Sequence, residues 1–272
     1  MCLRPHPFHL HHCQPLHLAN YPLFFFLHLN SSKTEVIQIG TSHQIQQQKN
    51  LRITFSGQMI SLSSMVTDLG VIFDPQLTFK SHIKHICKIF KIQNLSTCKI
   101  LQKLQPLLSL SDAERLVHAF VSSRLDYCYA LLIGIPGKNI QRLQYVQNCA
   151  ARVLMRVRKH EHITPVLQSL HWLPVSAQIN CKISLLTFHC LHGDASSYLK
   201  DHLNLHCPSR SLRSSNTNLL HIPRTHSRTM GDRAFFCAAP RLWNTLPPHL
   251  RAPQIVEHFK TGLKTILFTQ FF

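Results

Sequence analysis

Phe79-Lys80-Ser81-His82-Ile83-Lys84-His85-Ile86-Cys87-Lys88-Ile89-Phe90-Lys91 is the stretch on which the reading of this chain turns. Phe79, Ile83, Ile86 and Phe90, continued by Leu101 and Leu104, recur every three or four residues, which is the period of one helix face. Lys80, Lys84, Lys88 and Lys91, continued by Lys99 and Lys103, fall on the other face. No acid stands between Asp74 and Asp112. A lysine stripe is by default a solvated helix face. Without balancing glutamates, this one reads equally well as a surface that follows phosphates.

Upstream of this helix the pattern is strand-like. Val36, Ile37 and Ile39 close a run from Leu27 that Gly40 stops. Leu51 to Phe55 precedes Gly57, and Leu69-Gly70-Val71-Ile72-Phe73 ends at the turn pair Asp74-Pro75. Together these predict one small antiparallel sheet. Residues 1–20, with five His and three Pro, show no periodicity and are expected to lack structure; a His-rich metal-binding tail is the sharper alternative. The run Leu23 to Leu27 is far shorter than the ~20 apolar residues a bilayer span needs, and no small-residue cleavage site follows it.

Downstream, helices dominate. Ser111-Asp112-Ala113-Glu114 reads as a capping box opening a helix through Leu116, Phe120 and Leu125 to Leu132. Gly134 and Pro136-Gly137 break it, and a second helix runs from Lys138 to Val157 with Ile140, Leu143, Val146, Ala150, Val153 and Leu154 inward. Arg142, Arg152, Arg156, Arg158 and Lys159 decorate that helix. Thr164-Pro165 is expected to open a short helix with Thr164 as cap. Pro174 opens a long helix through Ile179, Ile183, Leu186 and Leu191, which Gly193 ends as a left-handed cap. Residues 204–233 read as a basic extended segment. Trp243 and Leu246-Pro247-Pro248 anchor the next turn, and Ile255 to Phe268 form a final amphipathic helix. The fold class is therefore α+β and predominantly α.

Composition sets limits on function. There are 29 Lys+Arg against 11 Asp+Glu, a net charge of +18, with 21 His besides. Such a surface attracts polyanions, with nucleic acid first and an anionic membrane second. The ten cysteines are scattered without any Cys-x-x-Cys pair, and Cys87, Cys149 and Cys181 sit at apolar helix positions. That usage points to free thiols and a reducing compartment, cytoplasm or nucleus.

Chemistry beyond binding finds little support. No two acidic residues are adjacent anywhere in the chain. Asp68, Asp74, Asp112, Glu114 and Asp126 form the densest acidic group, but turn and cap roles account for Asp74, Asp112 and Glu114. His189, Cys190, His192 and Cys207 match no zinc spacing, so no metal site is assigned. No Gly-rich phosphate loop occurs. Trp172, in His171-Trp172, is the best place for an aromatic that stacks on a base, although a core anchor between two helices is the simpler role.

Several phrases resemble one family in order. Leu27-His28-Leu29-Asn30-Ser31-Ser32-Lys33-Thr34-Glu35 resembles the segment just after the catalytic strands in the polymerase of LINE-type (non-LTR) retrotransposons. Leu69-Gly70-Val71-Ile72-Phe73-Asp74 with Phe79-Lys80-Ser81-His82-Ile83 is similar to its primer grip leading into the thumb. Ser123-Arg124-Leu125-Asp126-Tyr127-Cys128, Leu143 to Arg152, His162-Ile163-Thr164-Pro165, Leu170 to Val175 and Ala239 to Pro247 follow in the order such elements show. The resemblance implies the edge of a polymerase palm over 27–77, a thumb over 78–160, a helical C-terminal region over 161–203, a basic linker over 204–235 and a closing turn and helix over 236–272. Residues 1–26 do not resemble the family.

The Asp-Asp pair that holds the family's Mg²⁺ ions has no matching position here, so no catalytic residue carries over and no cofactor is expected. The chain then reads as a truncated polymerase remnant that binds RNA or an RNA–DNA duplex without copying it. Lys80, Lys84, Lys88, Lys91, Lys99, Lys103, Arg152 and Arg156 are its expected contacts. An inactive relic without a ligand, a mis-started piece of an active RNA-directed DNA polymerase, and a partner of an intact retrotransposon polymerase are the alternatives.

Overall fold

The computed structural model describes residues 33–47, 53–55, 58–90, 109–207, 218–225, 227, 229–252 and 255–272. Contacts divide the chain into two units, Met1–Val36 with Asn50–Leu62, and Ile37–Lys49 with Ser63–Phe272. In the first, β1 (Ile53–Phe55) pairs antiparallel with β2 (Gln58–Ile60), Thr54 opposite Met59, and Val36 forms a lone parallel bridge to Leu62.

The second unit holds the helical body. Its hairpin pairs β3 (Val66–Asp68) with β4 (Val71–Phe73), Thr67 opposite Ile72. Leu69 (φ 45°) and Gly70 (φ 81°) both turn through positive φ, the conformation that matches the twist of a two-residue hairpin. The Tyr127 hydroxyl donates to the Leu69 carbonyl at 2.7 Å and ties the hairpin to the helices.

One sheet of three strands was expected, and the structure has two separate two-stranded hairpins. Residues 37–39 form no strand. Each true partner, β2 or β3, lies a few residues from its mate and is only three residues long, too short to show an alternating pattern.

Helix α1 (Ser42–Gln47) was not foreseen. The Gln44 side chain accepts the Thr41 N–H at 2.9 Å while Thr41 Oγ1 accepts the Gln44 N–H at 3.4 Å, which makes a reciprocal cap. Before α2 (residues 80–90), Asp74 does more than start a turn. Its carboxylate accepts from the N–H groups of Gln76, Thr78 and Phe79 and from the Thr78 hydroxyl, at 2.7 to 3.2 Å. Leu77 and Phe79 take positive φ within that turn.

The helix expected from Ser111 to Leu132 is continuous from Leu110 to Asp126, with a π-turn inside it, and breaks after that. It comprises α3 (Leu110–Val117), a π-turn (His118–Ser122), α4 (Ser123–Asp126), a left-handed Cys128 and a 3₁₀ turn (Tyr129–Leu132). The cap is Ser109 rather than Ser111: its hydroxyl accepts the Asp112 N–H at 3.2 Å and donates to the Asp112 carboxylate at 2.6 Å. Phe120, through which that helix runs, is exposed.

The remaining elements are α5 (Gly137–Met155), α6 (Thr164–Ser169), α7 (Val175–His192), α8 (Ser197–Lys200), α9 (Phe235–Thr245), α10 (Pro248–Arg251) and α11 (Val256–Phe271). Thr164 is the first helical residue of α6 and its side chain caps nothing. Gly193 (φ 85°) ends α7 as expected. Gly262 lets α11 approach α10, since a Cβ there would lie 2.6 Å from Leu250 Cδ2.

Two apolar cores share α7. Phe79, Ile83, Ile86 and Phe90 of the α2 region join Val117, Val121, Leu125, Leu132, Leu143, Val146, Val175 and Ile179 in the first. Phe188, Leu220, Trp243, Leu250, Phe259, Leu263 and Leu267 build the second, with Phe188 and Phe259 stacked at 4.4 Å. Each fully buried side chain of this size contributes about 1.5–3 kcal/mol.

The segment expected as a free basic linker is partly packed. Leu220 is fully buried, its N–H and carbonyl both bond the Asn244 side chain, and Trp243 donates to the Asn218 carbonyl at 2.8 Å.

Candidate functional site

The described lysines of the stripe behave as the sequence pattern requires. At 100° per residue, His82, Ile83, Ile86 and Phe90 lie on one side of α2 and all are buried, as is Phe79 just before it. Lys80, Lys84 and Lys88 lie on the opposite side, all exposed and spread over roughly 12 Å of helix. None of the three enters an ion pair with a described residue. Lys91, Lys99 and Lys103 lie outside the described residues.

Beneath the stripe, His82 is buried and its Nδ1 accepts the Ile72 N–H at 3.4 Å, joining α2 to β4. Burial, reinforced by nearby His85, holds its imidazole below the usual histidine range.

Cys87 sits at the border of the two faces of α2, and its thiol lies 3.9 Å from the Arg142 carbonyl. The α5 backbone at Arg142 therefore lies against the edge of α2; Arg142 and Lys138, one turn earlier, are both exposed. These two cations were not among the expected contacts. Nothing in their own helix marks them; only the packing of α5 on α2 does.

Arg152 and Arg156 are placed differently. The Arg152 guanidinium donates to the carbonyls of Arg158 and Glu161, each at 2.8 Å, and so clamps the loop after α5. The Glu161 carboxylate accepts the Arg158 N–H at 3.0 Å in the same loop. Arg156 is the left-handed cap of α5 (φ 55°), exposed at the start of that loop.

Trp172 is half-buried and packs against residues of the first core and against a small cluster of Ala151, Val166 and Leu167. It also lines a cavity of about 350 Å³ formed where the α3–α4 segment, α5, α7 and α11 converge. The Lys182–Asp126 ion pair at 3.9 Å lines it, as do the His118 ring, 3.8 Å from the Glu114 carboxylate, and Lys264. Burial raises the Asp126 carboxyl above its ordinary range, against the opposing pull of Lys182 and His118. Three residues beyond Asp126, the buried Tyr129 hydroxyl has no hydrogen-bond partner among the described residues.

Among the described residues, no three His, Cys, Asp or Glu side chains gather as a metal site, no cysteine is disulfide-bonded, and no helix is long and apolar enough to cross a membrane. The arrangement offers two things: a cationic face on α2 and α5, and a cavity with an aromatic wall and paired charges. No family model, curated protein or solved structure matches the chain.

Proposed function

We propose that this chain binds the phosphate backbone of RNA or of an RNA–DNA duplex through the face of α2 that carries Lys80, Lys84 and Lys88, flanked by Lys138 and Arg142. The observation that carries the reading is the exposed stripe of ammonium groups, in no ion pair with a described residue, opposite a buried helix face. A folded core fixes the helix, so the lysines are held in register instead of being spread over a flexible tail. A net charge of +18 adds long-range attraction. Contacts of this type go to phosphate and carry little sequence preference.

The ordered phrases that resemble a LINE-type reverse transcriptase support the same reading, with α2 and α5 in the position of a thumb and the β3–β4 hairpin in that of a primer grip. On this reading the chain is the part of such a polymerase that grips template and primer, without the carboxylates that polymerise. The finer assignment of palm and thumb belongs to this proposal.

Replacing Lys80, Lys84 and Lys88 together with Glu tests it. Duplex affinity at low salt should fall about a hundredfold, and the slope of log affinity against log salt should become shallower by about 3. Circular dichroism should stay unchanged, because all three side chains are exposed. Undiminished affinity in a folded triple variant overturns the assignment of this face. A wild-type chain that melts without cooperativity and aggregates favours the relic reading instead.

A further inference from the structure

The cavity beside Trp172 is built from more than packing leftovers. The π-turn His118–Ser122 widens the backbone there and brings His118, Val121 and Ser122 to its wall, and such turns recur at functional sites. Leu125, Leu170 and Leu173 supply apolar surface, and Trp172 supplies an aromatic wall. At about 350 Å³ the space is within the range of small-ligand pockets.

The polar groups divide into two kinds. On the cationic side, Lys182 is shared with Asp126 at 3.9 Å, while Lys264 on α11 is exposed and enters no ion pair with a described residue. On the other side the lining is rich in acceptors. Asp126 and Glu114 present carboxylates. Gln178 gives its amide N–H to the Leu173 carbonyl at 2.8 Å, which leaves its Oε1 to accept. An aromatic wall, an uncommitted ammonium and a set of acceptors together suit a flat ring with N–H groups on its edge and an anion attached.

We infer that this cavity binds one nucleotide unit, its base against Trp172, its phosphate on Lys264 and Lys182, and its exocyclic amino group on Asp126, Glu114 or Gln178. Bases with an amino group, guanine, cytosine and adenine, are preferred over uracil, which offers no exocyclic donor. The inference does not depend on the α2 face, since none of Lys80, Lys84 and Lys88 lines the cavity. The unit can come from a free mononucleotide or from a single strand, and the two sources are separable.

Calorimetric titration of the full chain with guanosine, cytidine and uridine monophosphates, and with a short cytidine-rich oligoribonucleotide, decides the matter. The expected result is saturable binding, weaker for uridylate, lowered about tenfold by Lys264→Gln and at least as much by Trp172→Leu. Lys200→Gln, outside the cavity, should leave it unchanged. Compared in a chain that also carries Lys80→Glu, Lys84→Glu and Lys88→Glu, so that the α2 face does not contribute, equal affinity per site for mononucleotide and oligomer assigns the cavity to free nucleotide; an oligomer bound about tenfold more tightly, and weakened by Lys264→Gln, assigns it to a strand. Either result supports the site. Absence of saturable binding by all ligands, or Lys264→Gln binding as the wild type does, overturns it. Lys264 is exposed, so that variant remains informative if Trp172→Leu fails to fold.

Discussion

Along α2, Lys80, Lys84 and Lys88 stand in solvent with no described acid beside them; at the far end of α5, Arg152 turns back and spends its guanidinium on two carbonyls of its own chain. Both regions are basic and both are helical. The difference lies in what each helix end must satisfy. The Arg158 and Glu161 carbonyls in the loop behind α5 lack helical partners, and a long planar donor fork placed there bonds both. The middle of α2 has its backbone satisfied internally, so its lysines have no internal work. Equal charge in sequence thus divides into structural charge and charge available to a ligand.

Asp74 fixes where the lysine face begins, and removing it should have the largest effect on stability. Asp74→Ala strips acceptors from three N–H groups and one hydroxyl in a turn that already holds two side chains at positive φ. A loss of about 3 kcal/mol in chemical denaturation is expected. A loss under about 0.5 kcal/mol would show that the turn before α2 holds without it.

A paired substitution sharpens the contrast between the two cations. Arg152→Ala should cost about 1–2 kcal/mol of stability and leave the salt dependence of duplex binding nearly untouched. Lys84→Ala should do the reverse, with stability within about 0.5 kcal/mol and the salt slope shallower by about 1. Identical behaviour of the two variants in both measurements would erase the distinction.

The smallest effect concerns pH. His82 is held below its usual value of 6.5 by burial and by His85, so the unfolded chain takes up its proton first. Its contribution to stability is complete above that value and is lost as pH falls below it. Thermal melts of the wild type between neutral and mildly acidic pH should therefore drop more steeply than those of His82→Gln, which keeps an acceptor but cannot titrate. Parallel curves would remove His82 from the account.

Much of the fold was legible from local patterns. The buried face of α2, the inward row of α5, the start of α7 after Pro174 and the left-handed stop at Gly193 all follow from periodicity and backbone chemistry, which operate over a few residues. The strands were not legible to the same degree. Three-residue strands carry too little pattern, and their pairing was settled by the nearest neighbour. Helix α9 was missed because Pro240 lies inside it, and a proline there ordinarily breaks a helix. Burial of Cys237, Ala238 and Ala239, with Trp243 in the second core, outweighs that cost.

The candidate site divides along the same line. The sequence by itself determined that α2 has an apolar and a cationic face, because a helix converts spacing into direction without help from the rest of the chain. Only the tertiary structure decided that Arg152 serves the loop after α5, that the α5 backbone at Arg142 meets the edge of α2, and that Trp172, Asp126, Lys182 and Lys264 meet around one cavity. Those outcomes depend on which distant backbone groups need partners and which helices touch, and contacts between residues many positions apart leave no local mark in the sequence.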